Sequence, residues 1–119
     1  MSSIGIDVVE IKRIESAVNR WGELFLNRIY TETEIDVCGG RISSLATTFA
    51  AKEAVMKVLG TGGTGVHWRE IEILPDARGK PLVKLYGGAK ARAKELNLTE
   101  FSVSLSDTRQ LALAVSMGT

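Results

Sequence analysis

"TFAAKEAVMKVLGTG", residues 48–62, closes a helical run that begins at Ser44 and sets a long helix in the middle of the chain. Between Ser44 and Leu59 there is no glycine and no proline, alanine recurs, and Leu45, Phe49, Met56 and Leu59 supply apolar positions. Alanine is the best helix former and glycine and proline the worst, so the spacing predicts a helix that stops at Gly60. Glu53 and Lys57 lie four residues apart and share a face with Phe49. Two readings of the pair are open. One is a solvated ion pair worth roughly a few tenths of a kcal/mol. The other is a pair of charges facing a ligand, for which the alanines at 50, 51 and 54 leave clearance. "GTGGTG" at 60–65 is equally ambiguous. It reads as a C-cap with a loop, or as a phosphate cradle of backbone N–H groups. It is not a Walker A motif, because no Lys-Ser/Thr follows the glycines. It also comes after a helix, so no helix N-terminal field is available to an anion.

Outward from this helix, "SIGIDVVEI" alternates Ile4, Ile6 and Val8 on one face, as in a half-buried strand, with Asp7 on the other. Ile11, Ile14 and Val18 then repeat at helical spacing, Gly22 interrupts, and Leu24, Phe25 and Ile29 resume. "TETE" at 31–34 has the form of a capping box, so a short helix is expected from Glu32 to the glycines at 39 and 40. "HWREIEIL" and "PLVKLYG" read as strands joined by "PDARGK", a hairpin turn. "GAKARAKELNL" reads as a surface helix. "FSVSLS" and "LALAVSM" form a second hairpin turned by residues 107–110. The small residues on one face of its last strand imply close packing, with the long helix as the natural partner. Helices inserted among antiparallel hairpins define an α+β class, with the sheets packed on the long central helix.

The chain has 119 residues, 45% hydrophobic and 24% charged, which sets a single domain over 1–119 as the expectation. A net charge of +1 argues against a general nucleic-acid binder. A single cysteine, Cys38, allows no internal disulfide and shows no zinc-ligand spacing. No apolar run approaches the ~18–20 residues of a membrane span, and the N-terminus lacks the pattern of a signal peptide. A cytoplasmic protein is the expectation.

Asp7 is a carboxylate inside an aliphatic strand, where propensity disfavours it. Its face is either open to solvent or turned to a cation. With Glu53 it could hold Mg²⁺, which takes one or two carboxylates plus phosphate oxygens and water. Lys12, Arg13, Arg20 and Arg28 make the N-terminal helices basic, either as a solvated face or as a dock for an acidic partner. His67, the only histidine, reads as structural or exposed rather than catalytic.

Three blocks together resemble the small, single-unit 4'-phosphopantetheinyl transferases of the holo-[acyl-carrier-protein] synthase type. They are "GIDVVEIKRI" at 5–14, "FAAKEAVMKVLGTG" at 49–62, and the paired "IEIL...GKPLVKLYG" and "FSVSLSDT". The resemblance implies transfer of 4'-phosphopantetheine from coenzyme A to a serine of apo-acyl carrier protein, with adenosine 3',5'-bisphosphate released. It implies Mg²⁺ held by Asp7 and Glu53, with Glu53 and Lys57 as the catalytic pair. Lys52, Lys57, Gly60, Thr61, Gly62, Asp107 and Thr108 are implied in coenzyme A binding, and Arg13 and Arg20 in docking the acidic helix of the carrier. It also implies a homotrimer with sites between subunits and a place in fatty-acid biosynthesis. The proton acceptor stays open among Glu53, Glu34 and Asp36. Two positions depart from the family pattern. Asp107 stands where many relatives have histidine, and Thr48 where they often have arginine, with Arg41 as a nearby substitute cation. The competing expectations are a non-catalytic relative that binds coenzyme A or the carrier without transfer, and a generic oligomeric structural domain.

Overall fold

The fold is taken from a computed structural model that describes residues 2–60 and 65–119. Its elements run β1 (Ser3–Glu10), α1 (Ile11–Trp21), α2 (Glu23–Ile29), α3 (Glu32–Cys38), α4 (Ile42–Leu59), β2 (Ile71–Pro75), β3 (Pro81–Leu85), α5 (Gly87–Glu95), β4 (Phe101–Asp107) and β5 (Leu111–Gly118). The sheets are antiparallel: β1-β5-β4 forms one and the β2-β3 hairpin the other. This is the expected α+β arrangement around the long helix.

The helix boundaries follow local chemistry. Gly22, at φ 54°, separates α1 from α2 in a conformation open chiefly to glycine. Thr31 accepts from the Glu34 N–H at 3.2 Å, and Glu34 accepts from the Thr31 N–H at 2.8 Å, completing the capping box of α3. α4 ends at Gly60, at φ 68°, whose N–H closes on Met56 O and Lys57 O. The β2-β3 turn is fixed by Asp76, whose Oδ1 accepts from the N–H groups of Arg78 and Lys80.

One face of the three-stranded sheet is built from small side chains, and α4 lies on it. The register stacks Gly5 beside Ser116 and Val103, Asp7 beside Ala114 and Leu105, and Val9 beside Ala112 and Asp107. Ala50, Ala51, Ala54, Val55 and Val58 of α4 are buried in the same core. The apolar face of β1 is the one turned away. Ile4, Ile6 and Val8 are 70%, 63% and 56% exposed, so the expected half-buried stripe is inverted within this chain. Asp7 shares the face that meets the helix.

"HWREIEIL" is strand only from Ile71. Trp68–Glu70 form a single 3-10 turn, because the Glu70 carboxylate reaches back to the His67 N–H at 2.9 Å and closes it.

Candidate active site

α4 carries Glu53 and Lys57 to the edge where it meets β1. Lys57 Nζ donates to the Ile6 carbonyl at 2.8 Å and to Asp7 Oδ1 at 3.3 Å. The Lys57 side chain is half exposed, whereas that of Asp7 is largely covered. Asp7 and Glu53 line one cavity of about 250 Å³, shared with Arg13, Phe25 and Phe49. Glu53 and Lys57 also line a larger cleft of about 800 Å³ with Arg28, Gly60, His67 and Trp68. Glu53 is therefore the residue that joins the two spaces.

Burial raises the pKa of Glu53 first, and the Asp7 carboxylate raises it further; Lys57 and Arg13 offset only part of this. Two carboxylates thus face a partly desolvated space in which negative charge is under-compensated. Among the described residues there is no cluster of three or more His, Cys, Asp or Glu that could hold a metal. A two-carboxylate set suits a hard cation that completes its shell with phosphate oxygens and water.

Lys52 is not in this cleft. Its side chain is fully buried, and its Nζ is held by Glu34 Oε1 at 2.6 Å, Ile71 O at 2.6 Å and Trp68 O at 3.0 Å. The resemblance implies contact between Lys52 and coenzyme A, which would compete with these bonds; here Lys52 belongs to the core. Glu34 is committed to that same pair and to the α3 cap, which removes it as a solvent-facing proton acceptor. Asp36 is exposed on α3 and lines neither cavity.

Asp107 and Thr108 sit at the β4-β5 turn and line neither cavity that holds Glu53. Thr108 closes the turn, its Oγ1 accepting from the N–H groups of Gln110 and Leu111. Gly60 lines the cleft, while Thr61 and Gly62 lie outside the described residues. Arg13 reaches the Asp7–Glu53 cavity. Arg20 instead lies over the Trp21 ring, 4.9 Å from its centroid. Thr48 is buried with its Oγ1 3.8 Å from Cys38 Sγ, and Arg41 donates to Val37 O and Ser44 Oγ, so neither lines the Glu53 cleft. Arg28, which the sequence places only in a basic face, His67, which it marks as structural or exposed, and Trp68, to which it gives no role, also line the cleft. The signal for the first was its place in the basic series of α1 and α2. For His67 and Trp68 it was their position just after the glycine-rich stretch 60–65 in the sequence.

The family model of the 4'-phosphopantetheinyl transferase superfamily matches residues 3–115. The chain belongs to that superfamily. It is 46% identical over 121 residues to holo-[acyl-carrier-protein] synthase of Herpetosiphon aurantiacus, covering 96% of this chain and 95% of the relative. It is 48% identical over 111 residues to the enzyme of that name from Dehalococcoides mccartyi, covering 93% and 92%. Among solved structures it is similar to Helicobacter pylori holo-[acyl-carrier-protein] synthase in complex with coenzyme A, with a TM-score of 0.89, 36% identity, and 98% and 99% of the two chains covered.

Proposed function

We propose that this chain is a holo-[acyl-carrier-protein] synthase of one domain over 1–119. It moves 4'-phosphopantetheine from coenzyme A to a serine hydroxyl of apo-acyl carrier protein, releasing adenosine 3',5'-bisphosphate. The observation that carries the proposal is the convergence of Asp7, Glu53 and Lys57, from β1 and α4, where the small Asp7 cavity meets, at Glu53, a cleft large enough for an extended ligand. Full-length similarity to enzymes of that name supports the reaction over the non-catalytic alternative.

Phosphoryl-type transfer depends on charge neutralisation and alignment more than on covalent help. Asp7 and Glu53 would hold Mg²⁺, which when bound supplies neutralising charge at the pyrophosphate. Lys57 presents its ammonium on the cleft side of Asp7, where it can stabilise the departing phosphate. Gly60 leaves backbone room for the ligand, and Thr61 and Gly62, which follow it in sequence, are proposed to share in binding coenzyme A. In the transfer the serine Oγ forms a bond to phosphorus and the bond from phosphorus to the bisphosphate leaving group breaks. The serine proton passes to a base. Arg13 and Arg20 are proposed to meet the acidic carrier.

The chain is further proposed to act as a cytoplasmic homotrimer in fatty-acid biosynthesis. The apolar, outward face of β1 and β5 supports self-association. A second copy is also the natural source of the Asp107–Thr108 turn at a neighbouring cleft.

The test is to mix the protein with apo-carrier protein, coenzyme A and Mg²⁺ and to weigh the carrier. A gain equal to one phosphopantetheine group that disappears on chelation is the expected result. No gain, beside a competent transferase as control, overturns the proposal. Glu53→Gln is expected to abolish the gain without altering the circular dichroism spectrum; full activity in that variant would remove Glu53 from the metal site.

A further inference from the structure

Lys52 Nζ has three donors, and the structure uses each of them on a different group: Glu34 Oε1, Trp68 O and Ile71 O. The second Glu34 oxygen accepts from the Ile73 N–H at 2.8 Å. One buried ion pair therefore ties α4 and α3 to both ends of the stretch 68–73. A buried pair is a poor source of net stability, since apolar replacements of similar volume often serve as well. Its geometric effect is specific. The carbonyls held by Lys52 belong to the 3-10 turn and the strand start that follow His67. His67 and Trp68 form the wall of the large cleft that faces Glu53 and Lys57. The Trp68 ring stacks on Phe49 at 4.9 Å and 24°, one helical turn before Glu53. Glu70 holds the same turn from the other side, through the N–H groups of His67 and Gly88.

We infer that Lys52, paired with Glu34, is a positioning residue that fixes the Val66–Trp68 wall against the Glu53–Lys57 face of α4 and so sets the width of the cleft. The inference rests on the transferase reading of that cleft. Lys52 touches no reacting atom. It acts on the reaction through the backbone of Trp68 and Ile71, and thereby through the placement of coenzyme A against Glu53.

The experiment uses the full chain carrying Trp21→Phe, which leaves Trp68 as its only indole. Lys52→Met removes the ammonium at similar length. Lys52→Met with Glu34→Gln also removes the orphaned carboxylate charge, which keeps the fold accessible. Both variants are expected to retain the parent's far-UV spectrum. Their Trp68 emission should shift to the red and become more open to acrylamide quenching. Their kcat/KM for coenzyme A should fall by about 10- to 100-fold, the scale of a misplacement near one ångström. Native emission with native kcat/KM overturns the inference, and so does either change without the other. Failure of both variants to fold also overturns it, because the pair would then hold the core together rather than place the wall. If the parent itself transfers nothing, the transferase reading is what fails. Coenzyme A affinity by calorimetry then takes the place of kcat/KM beside the emission.

Discussion

Glu70 accepts from the N–H groups of His67 and Gly88 at 2.9 and 2.8 Å, which ties the cleft wall to the start of α5. Burial pushes its pKa up, but these backbone donors, with the nearby His67, outweigh that and hold it below the ordinary 4.5. A carboxyl with a depressed folded-state pKa contributes stability that is complete above its unfolded value and lost as pH falls through the folded one. Glu70→Gln should therefore lower the melting temperature at pH 7, and the gap to the parent should narrow below pH 4.5. Thermal melts of the two proteins across that range check it; a constant gap would mean that the charge on Glu70 plays no part. Lys52 and Glu53 show what single residues conceal in a sequence. They are adjacent, both charged, and both fit a ligand-binding motif. Helical geometry points neighbours about 100° apart, so one enters the core and the other the cleft. Nothing local to the pair says which, because the deciding partners, Glu34 and the carbonyls of Trp68 and Ile71, lie 16 to 19 residues away in sequence.

Among the elements, β1 against α4 is the contact that creates the site. Gly5 allows it: a Cβ there would overlap the Ala54 carbonyl oxygen and lie 3.0 Å from the Lys57 Cβ and 3.1 Å from the Val58 N. Gly5→Ala should push the strand off the helix, lowering stability by about 3 kcal/mol and moving Asp7 away from Glu53. Urea denaturation gives the first effect and the transfer assay the second. A variant as stable as the parent would show that the helix can retreat without cost. The capping box, the glycine stop of α4 and the Asp76 turn were legible because each is decided by residues within a few positions of one another. The direction in which β1 faces was not. Alternation predicts that one face is covered, and the hydrophobic face is the usual choice. Here the alanines of α4 demand small partners, so Gly5, Ala112, Ala114 and Ser116 turn inward. Asp7 is carried with them to the helix and to Glu53.

On the scale of the whole molecule, that inversion leaves Ile4, Ile6, Val8, Leu111 and Met117 exposed across two adjacent strands. A contiguous apolar sheet face of this kind marks an interaction surface in a folded protein. The proposed occupant is a second copy of the chain, because a neighbour would cover the face and could also present the Asp107–Thr108 turn that stands apart from the cleft here. Ile6 is central to the face, paired with Val115, which in turn pairs with Ser104. Its side chain points away from Asp7 and the helix. Ile6→Lys should therefore leave the monomer's own core untouched. It would carry a charge into a dry interface at a penalty on the order of several kcal/mol per copy. Sedimentation velocity should show the parent as a trimer and the variant as a monomer with the parent's circular dichroism spectrum. The transfer assay then separates two roles for the neighbour. Activity lost together with association means that each cleft is completed by residues of another copy. A monomeric variant with the parent's kcat would mean that Asp7, Glu53 and Lys57 suffice within one chain, and that the turn at Asp107 has no part in the reaction.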